Sequence, residues 1–397
     1  MSTVLKNPCR YLIAILAVVM VFSRLLPAYA DTVCENDLVR IDADFEEARL
    51  SSCEIREGQV FITISPENKP VNPSPWYAFH VTPKAHGQLA VVMLYDGAKH
   101  RYRPKISTDA KHWALVPAAN IKTFGEGKKV ALSLDLQDKA FWVAAQELLP
   151  NSAYTQWEKQ LAADQSLKLW QIGTSVEGRP IYALSSSPSA RGDKKEYVLF
   201  VGRQHPPELT GAFAMLPFLE TVFGDTDLAK TFRQRFSIIA VPDMNPDGVA
   251  HGNWRHNAHG VDLNRDWGPF TQPETQAIKT CLDNIDTDPA ASLRLMLDFH
   301  STHRNVFYIQ SDEDVTEPPD FTHNWLEAAS QRLPGYAFER AKRHQSDKKT
   351  SKNYVYGRFG VPAITYEVGD QTDRGLIRKS ATIFAEEMMK TLLFRND

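Results

Sequence analysis

Tyr197-Val198-Leu199-Phe200-Val201-Gly202-Arg203-Gln204-His205-Pro206-Pro207-Glu208 is the stretch that decides the fold class. Five apolar residues in unbroken succession predict a strand buried on both faces, as in a parallel sheet covered by helices. The glycine and polar residues after it predict a loop leaving the carboxyl end of that strand, where open α/β sheets hold their ligands. His205 and Glu208, three apart on this loop, can converge on one ion, and imidazole and carboxylate both suit zinc. A lone His-x-x-Glu is common by chance; its place at a strand end gives it weight.

Outward from this stretch the same pattern recurs at Phe236–Val241 and Leu293–Leu297, with helical segments between. Tyr154, Trp157 and Leu161 recur at helical spacing behind Asn151 and Ser152, either of which could cap a helix. Residues 151–397 are therefore expected to form an α/β catalytic domain, a mixed, mostly parallel sheet covered by helices. His300 closes the predicted strand Leu293–Phe299 and meets the strand-end condition, whereas His303 lies beyond it and ranks below. Two His and one Glu leave a fourth position for water, the arrangement of a catalytic zinc, with one ion per chain expected.

Before Pro150 the character differs. Gln59–Ser65, Trp76–Val81, Gln88–Tyr95, Lys129–Leu136 and Ala140–Ala144 are short alternating runs broken by turn residues, which predicts an all-β sandwich over 31–150. Residues 1–30 read as a signal peptide: Lys6 and Arg10, an apolar run from Tyr11 to Phe22, and the small-x-small triplet Ala28-Tyr29-Ala30. That run is shorter than a spanning helix needs, so the expected mature form is exported, periplasmic or secreted, and does not span a membrane. The chain carries a net charge of -3, and the leader would remove three positive charges with no acid, so no basic stripe is offered to nucleic acid. Cys34 and Cys53 fall close together and are expected to pair in an oxidising compartment; Cys281 reads as a small core residue. Ser185–Lys195 reads as a surface loop, and Glu339–Lys352, with six Lys or Arg, as a solvated loop over the sheet edge.

Further motifs lie between the predicted strands: Asn245-Pro246-Asp247-Gly248, then Trp254-Arg255, then Val261-Asp262-Leu263-Asn264-Arg265. The order His-x-x-Glu, Asn-Pro-Asp-Gly, Trp-Arg, Val-Asp-x-Asn-Arg, strand-His-Ser and strand-Tyr-Glu resembles the zinc carboxypeptidase (funnelin) family, over most of residues 167–370. The β-rich region, with Ser74-Pro75-Trp76-Tyr77-Ala78-Phe79, is similar to the cytosolic carboxypeptidase branch, from which the export signal departs.

The resemblance implies a role for each residue. His205, Glu208 and His300 would hold zinc, with Asp262 accepting a hydrogen bond from His205. Glu367, after the predicted strand Ala363–Tyr366, would be the general base. Arg255 would stabilise the oxyanion, and Asn264 and Arg265 would clamp the substrate's terminal carboxylate. No tyrosine stands where the family often has a mobile one; Tyr354 and Tyr356 are nearer Glu367. Counting back from Glu367 puts Lys352 or Asn353 near the floor of the specificity pocket, where Lys352 would favour an acidic terminal residue.

The function expected is hydrolysis of C-terminal peptide bonds by zinc-activated water. A zinc-dependent N-acyl amino acid deacylase and a zinc-dead peptide-binding module are the competing readings. Nothing in the sequence chooses among peptidoglycan stem peptides, free peptides and protein tails as substrate.

Overall fold

The alternation along Lys129–Leu136 buries Val130, Leu132, Leu134 and Leu136 and turns Lys129, Ser133 and Asp135 outward, as a strand with one face on a core requires. The computed structural model describes residues 32–165, 167–186, 195–342 and 347–394. The expected leader 1–30 and most of the Ser185–Lys195 loop lie outside the described residues. Among them no helix is long and apolar enough to cross a membrane.

Residues 34–144 form two sheets. One runs Cys34–Glu35, Val39–Asp42, Ala78–Pro83, Phe141–Ala144, Lys105–Ser107, Ala114–Leu115; the other runs Ser52–Arg56, Gln59–Ile64, Gly87–Tyr95, Lys129–Leu136, Ile121–Phe124. A disulfide joins Cys34 of the first sheet to Cys53 of the second, with Cα atoms 5.4 Å apart. The run expected at Trp76–Val81 starts as a strand only at Ala78, because Trp76 and Tyr77 are buried side chains of the segment leading into it.

The second unit is an eight-stranded mixed sheet ordered Lys168–Thr174, Pro180–Ser185, Phe236–Val241, Lys195–Gly202, Ala291–Thr302, Ala363–Gly369, Val306–Ile309, Glu339–Lys342. The four central strands, Phe236–Val241 to Ala363–Gly369, are parallel. Successive side chains of the opening stretch feed opposite layers. Val198 and Phe200 pack with Phe218, Leu297 and Phe384, while Leu199 and Val201 pack with Ile278, Met296 and Ala363. Helices Leu209–Phe223 and Arg374–Leu393 cover the first layer, and Pro273–Thr287 the second. Cys281 is a buried free thiol of that second layer, its pKa pushed up to about 11 by burial.

Three local expectations need correction. The strands expected to stop at Phe299 and Tyr366 run on to Thr302 and Gly369, so His300 and Glu367 sit inside them, paired in register. Neither Asn151 nor Ser152 caps the helix Asn151–Gln165. Glu46 of the sandwich does, accepting the Asn151 N–H at 2.9 Å and the Ser152 hydroxyl at 3.2 Å. The basic stretch expected as a solvated loop is partly the edge strand Glu339–Lys342, and Lys352 is buried in the first turn of the helix Ser351–Phe359.

The two units share side chains. Trp254 and Leu209 of the second are buried in the core of the sandwich. Arg203, 2% exposed, donates to Glu47 of the sandwich at 2.6 Å and to the Tyr154 hydroxyl at 3.2 Å. Arg101 of the sandwich donates to both oxygens of Asp370, at 2.8 and 3.1 Å.

Candidate metal centre and cleft

The loop after Lys195–Gly202 turns sharply at Arg203, whose φ of 52° lies in the left-handed region. That conformation costs a non-glycine residue on the order of 1 kcal/mol and persists because the guanidinium is tied at both ends, Nε donating to Pro206 O at 2.7 Å. Asn245 of the Asn-Pro-Asp-Gly motif caps the helix Pro246–Ala250 and holds the same loop, its Nδ2 donating to Gln204 O at 3.0 Å. Asp247 anchors the motif through the Ser175 hydroxyl and the Glu177 N–H. Glu208 occupies the N-cap position of the helix Leu209–Phe223, but its carboxylate does not cap the helix. It faces the two histidines instead.

His205 Nδ1 lies 2.9 Å from Glu208 Oε1, and His300 Nδ1 lies 2.7 Å from Glu208 Oε2. One donor atom from each of His205, Glu208 and His300 falls within 4.8 Å of the others, so the three can hold a metal ion. The remaining nitrogens are committed elsewhere, His205 Nε2 to Asp262 at 3.0 Å and His300 Nε2 to Asp298 at 2.9 Å. Each imidazole is thereby left with Nδ1 for a metal, and a carboxylate behind it fixes ring orientation. The donor set fits zinc. Close approach is built in at Gly211, where a Cβ would lie 2.3 Å from His300 O.

Burial opposes charge on Glu208, but His205 and His300 together hold its carboxyl well below the usual range. Burial likewise opposes the His300 imidazolium, and Asp298 and Glu208 outweigh it and raise its pKa. Glu367 is raised to about 8 by burial and then by the negative charge of Glu208. Among the described residues its Oε2 is buried with no hydrogen-bond partner, free to meet a bound molecule.

These groups open into a cleft of about 360 Å³. Arg255, Asn264, Arg265, Lys352, Asn353 and Glu367 all line it with the three metal-site residues. Arg255 is buried and donates Nε to Asp262 Oδ2 at 2.6 Å, so one carboxylate serves both His205 and Arg255. Asn264 accepts the Ser351 N–H at 2.9 Å, while exposed Arg265 donates to Asn264 O at 2.6 Å. Burial pushes the Lys352 ammonium down to about 8, against the pull of Asp314.

A model of zinc carboxypeptidases matches residues 154–390. The chain belongs to the zinc carboxypeptidase family. It is 26% identical over 294 residues to mouse cytosolic carboxypeptidase 6, covering 67% of this chain and 54% of that protein. To cytosolic carboxypeptidase 2 of Xenopus tropicalis it is 32% identical over 153 residues, 37% of this chain and 16% of the other. The chain thus spans somewhat over half the length of the mouse and human cytosolic carboxypeptidase 6. A metallo-carboxypeptidase structure from Burkholderia cenocepacia superposes with a TM-score of 0.74 at 20% identity, covering 90% of this chain and 98% of that one. One from Pseudomonas aeruginosa, in complex with (2-guanidinoethylmercapto)succinic acid, gives 0.67 at 18%, covering 89% and 98%. These two likenesses establish the fold.

Within this zinc carboxypeptidase fold several cleft residues escape sequence reading. His303, the rival ligand, is exposed and 3.7 Å from Asp370, outside the metal-site set. Tyr354 packs on Trp267 and Phe270, and neither it nor Tyr356 lines the cleft; Tyr308 does, from the strand Val306–Ile309. Asn72, Ser74 and Arg101 reach the cleft from the sandwich, a contribution no local pattern announces. Asp298 carries a signal in hindsight: two residues before His300 on a strand, it must share the face of its partner.

Proposed function

We propose that this protein is an exported zinc metallocarboxypeptidase that hydrolyses the C-terminal peptide bond of its substrate. The observation that carries the reading is the convergence of His205, Glu208 and His300 within 4.8 Å in a cleft that also holds Glu367. Zinc bound by these residues would supply a Lewis acid that polarises the scissile carbonyl and acidifies water. Glu367, raised toward neutrality by its buried site, takes the proton from attacking water and returns it to the leaving amine. Arg255, held by Asp262, offers its remaining N–H groups to the carbonyl oxygen as it gains charge. Exposed Arg265 at the cleft presents a planar fork matched to a terminal carboxylate, and Asn264 stands beside it. Lys352, buried in the same cleft, favours an acidic terminal side chain. The leader-like N-terminus and the Cys34–Cys53 disulfide support export to an oxidising compartment.

The test pairs free-acid and C-terminally amidated versions of one peptide panel, together with N-acyl amino acids, and follows released residues by mass spectrometry. Release from free acids alone is expected, with about one zinc per chain that His205→Ala or His300→Ala loses. Equal cleavage of amidated peptides would overturn the exopeptidase reading. Cleavage of acyl amino acids alone would favour the deacylase.

A further inference from the structure

Three consecutive backbone N–H groups of the catalytic unit end on one carboxylate of the sandwich. Glu67 Oε2 accepts from Trp254 at 2.8 Å, and Oε1 accepts from Arg255 at 3.0 Å and from His256 at 2.7 Å. The Glu67 side chain is only 9% exposed. Its neighbour Asn68 donates Nδ2 to Gly260 O at 3.0 Å, and a Cβ on Gly260 would lie 2.7 Å from that nitrogen. Trp254 itself is fully buried in the sandwich core, its indole N–H on Trp76 O at 3.1 Å. The sandwich therefore grips the 254–260 loop at both ends, while Arg255 donates to Asp262 at 2.6 Å and lines the cleft.

We infer that Glu67 is a positioning residue of the active site, fixing the backbone of 254–256 so that the Arg255 guanidinium meets the scissile carbonyl. The inference rests on the peptidase reading of the cleft and gives the sandwich a share in its chemistry. Three successive N–H groups turned to one side form a concave donor site that no helix or strand satisfies. An anion fills it with charge-assisted hydrogen bonds. A glutamine at 67 brings one acceptor oxygen and sets an NH2 group against the N–H left over, so the turn must rearrange. Misplacing a group that acts on the transition state by about 1 Å costs on the order of 10²-fold in rate.

The experiment uses the zinc-loaded protein, a free-acid peptide ending in two glutamates, and the variants Glu67→Gln, Glu67→Asp, Arg255→Ala and Glu67→Gln/Arg255→Ala. Glu67→Gln is expected to lower kcat about 10-fold or more with KM and zinc content unchanged, and Glu67→Asp, which keeps the charge, to recover part of the loss. The double variant is expected to be no slower than Arg255→Ala, because Glu67 acts through Arg255. Hydrogen exchange of the 254–260 segment should quicken in Glu67→Gln while the His205–Glu208 loop keeps its protection. Additive rate losses, or exchange unchanged from wild type, would overturn the inference. If the wild type released no residue from this peptide or any free-acid peptide, the peptidase reading would fall, and the exchange measurement would still decide whether Glu67 holds the loop.

Discussion

Replacing Asp298 by asparagine removes one charge from behind the metal site and almost nothing else. Asp298 is fully buried, and its Oδ2 accepts from Gln204 Nε2 at 2.6 Å, from the Ser351 hydroxyl, and from His300 Nε2 at 2.9 Å. Among the described residues Oδ1 has no hydrogen-bond partner. An asparagine that sets its carbonyl at the Oδ2 position keeps all three donors satisfied, and its NH2 group takes the unpartnered place. Folding should survive, but the metal-free protein should melt lower than the wild type, because the buried His300 imidazolium loses the Asp298 charge that raises its pKa and the new NH2 group finds no acceptor there among the described residues. The His300 ring, however, loses the anion that makes Nδ1 a better donor, and such a loss lowers metal affinity about 10- to 100-fold. At about 1.4 kcal/mol per factor of ten, that is roughly 1.4–2.8 kcal/mol. Competition for zinc against a chromophoric chelator at fixed pH measures the ratio directly. An affinity within about twofold of wild type in a folded Asp298→Asn variant would refute the orienting role.

Glu367→Gln is expected to keep zinc and peptide affinity and to lose on the order of 10²-fold in kcat, since a neutral amide takes no proton; steady-state kinetics with calorimetric binding checks it. Lys352 has its pKa lowered to about 8 by burial, so its charge is lost as pH rises through 8. Peptides ending in Glu should then show a KM that climbs above that pH, and the climb should vanish in Lys352→Ala. Glu158 is buried, and burial, then Asp243, raise its folded pKa to about 8 from an ordinary 4.5. A raised carboxyl stabilises the fold below the unfolded pKa and loses that contribution as pH rises through the folded one. Thermal melts should show stability falling between about pH 5 and pH 8, less steeply in Glu158→Gln; identical slopes would contradict this.

Legibility in the sequence followed how local each contact is. The strand Lys195–Gly202 and the helix at Asn151 announce themselves because their apolar period is local, and His205, Glu208 and His300 stand out as polar breaks at the ends of apolar runs. Asp298 was hidden by the opposite circumstance. It lies inside an apolar run, and only its pairing with His300 and Ser351 explains a buried carboxylate there. Strands such as Lys105–Ser107 and Ala114–Leu115 are too short for a period to show. Lys352 reads as solvated loop or pocket floor because a basic run hides which of its members a helix start will bury. Glu46 and Glu67 were out of reach altogether, since their partners lie more than a hundred residues along the chain. No period or motif carries information across that distance.

The cross-ties between the two units also bear on what kind of molecule can be reached. Asn72, Ser74 and Arg101 form one wall of the cleft, and that wall is fastened by Arg101 to Asp370 and by Glu147 to Arg374. Widening the mouth would mean parting these pairs and drawing Trp254 out of the sandwich core. Under the peptidase function proposed above, a substrate would lead with its own tip, loose for several residues beyond its last ordered element, and thread inward until its end met Arg265. Selection would then begin before any side chain is read, with the freedom of the tail itself.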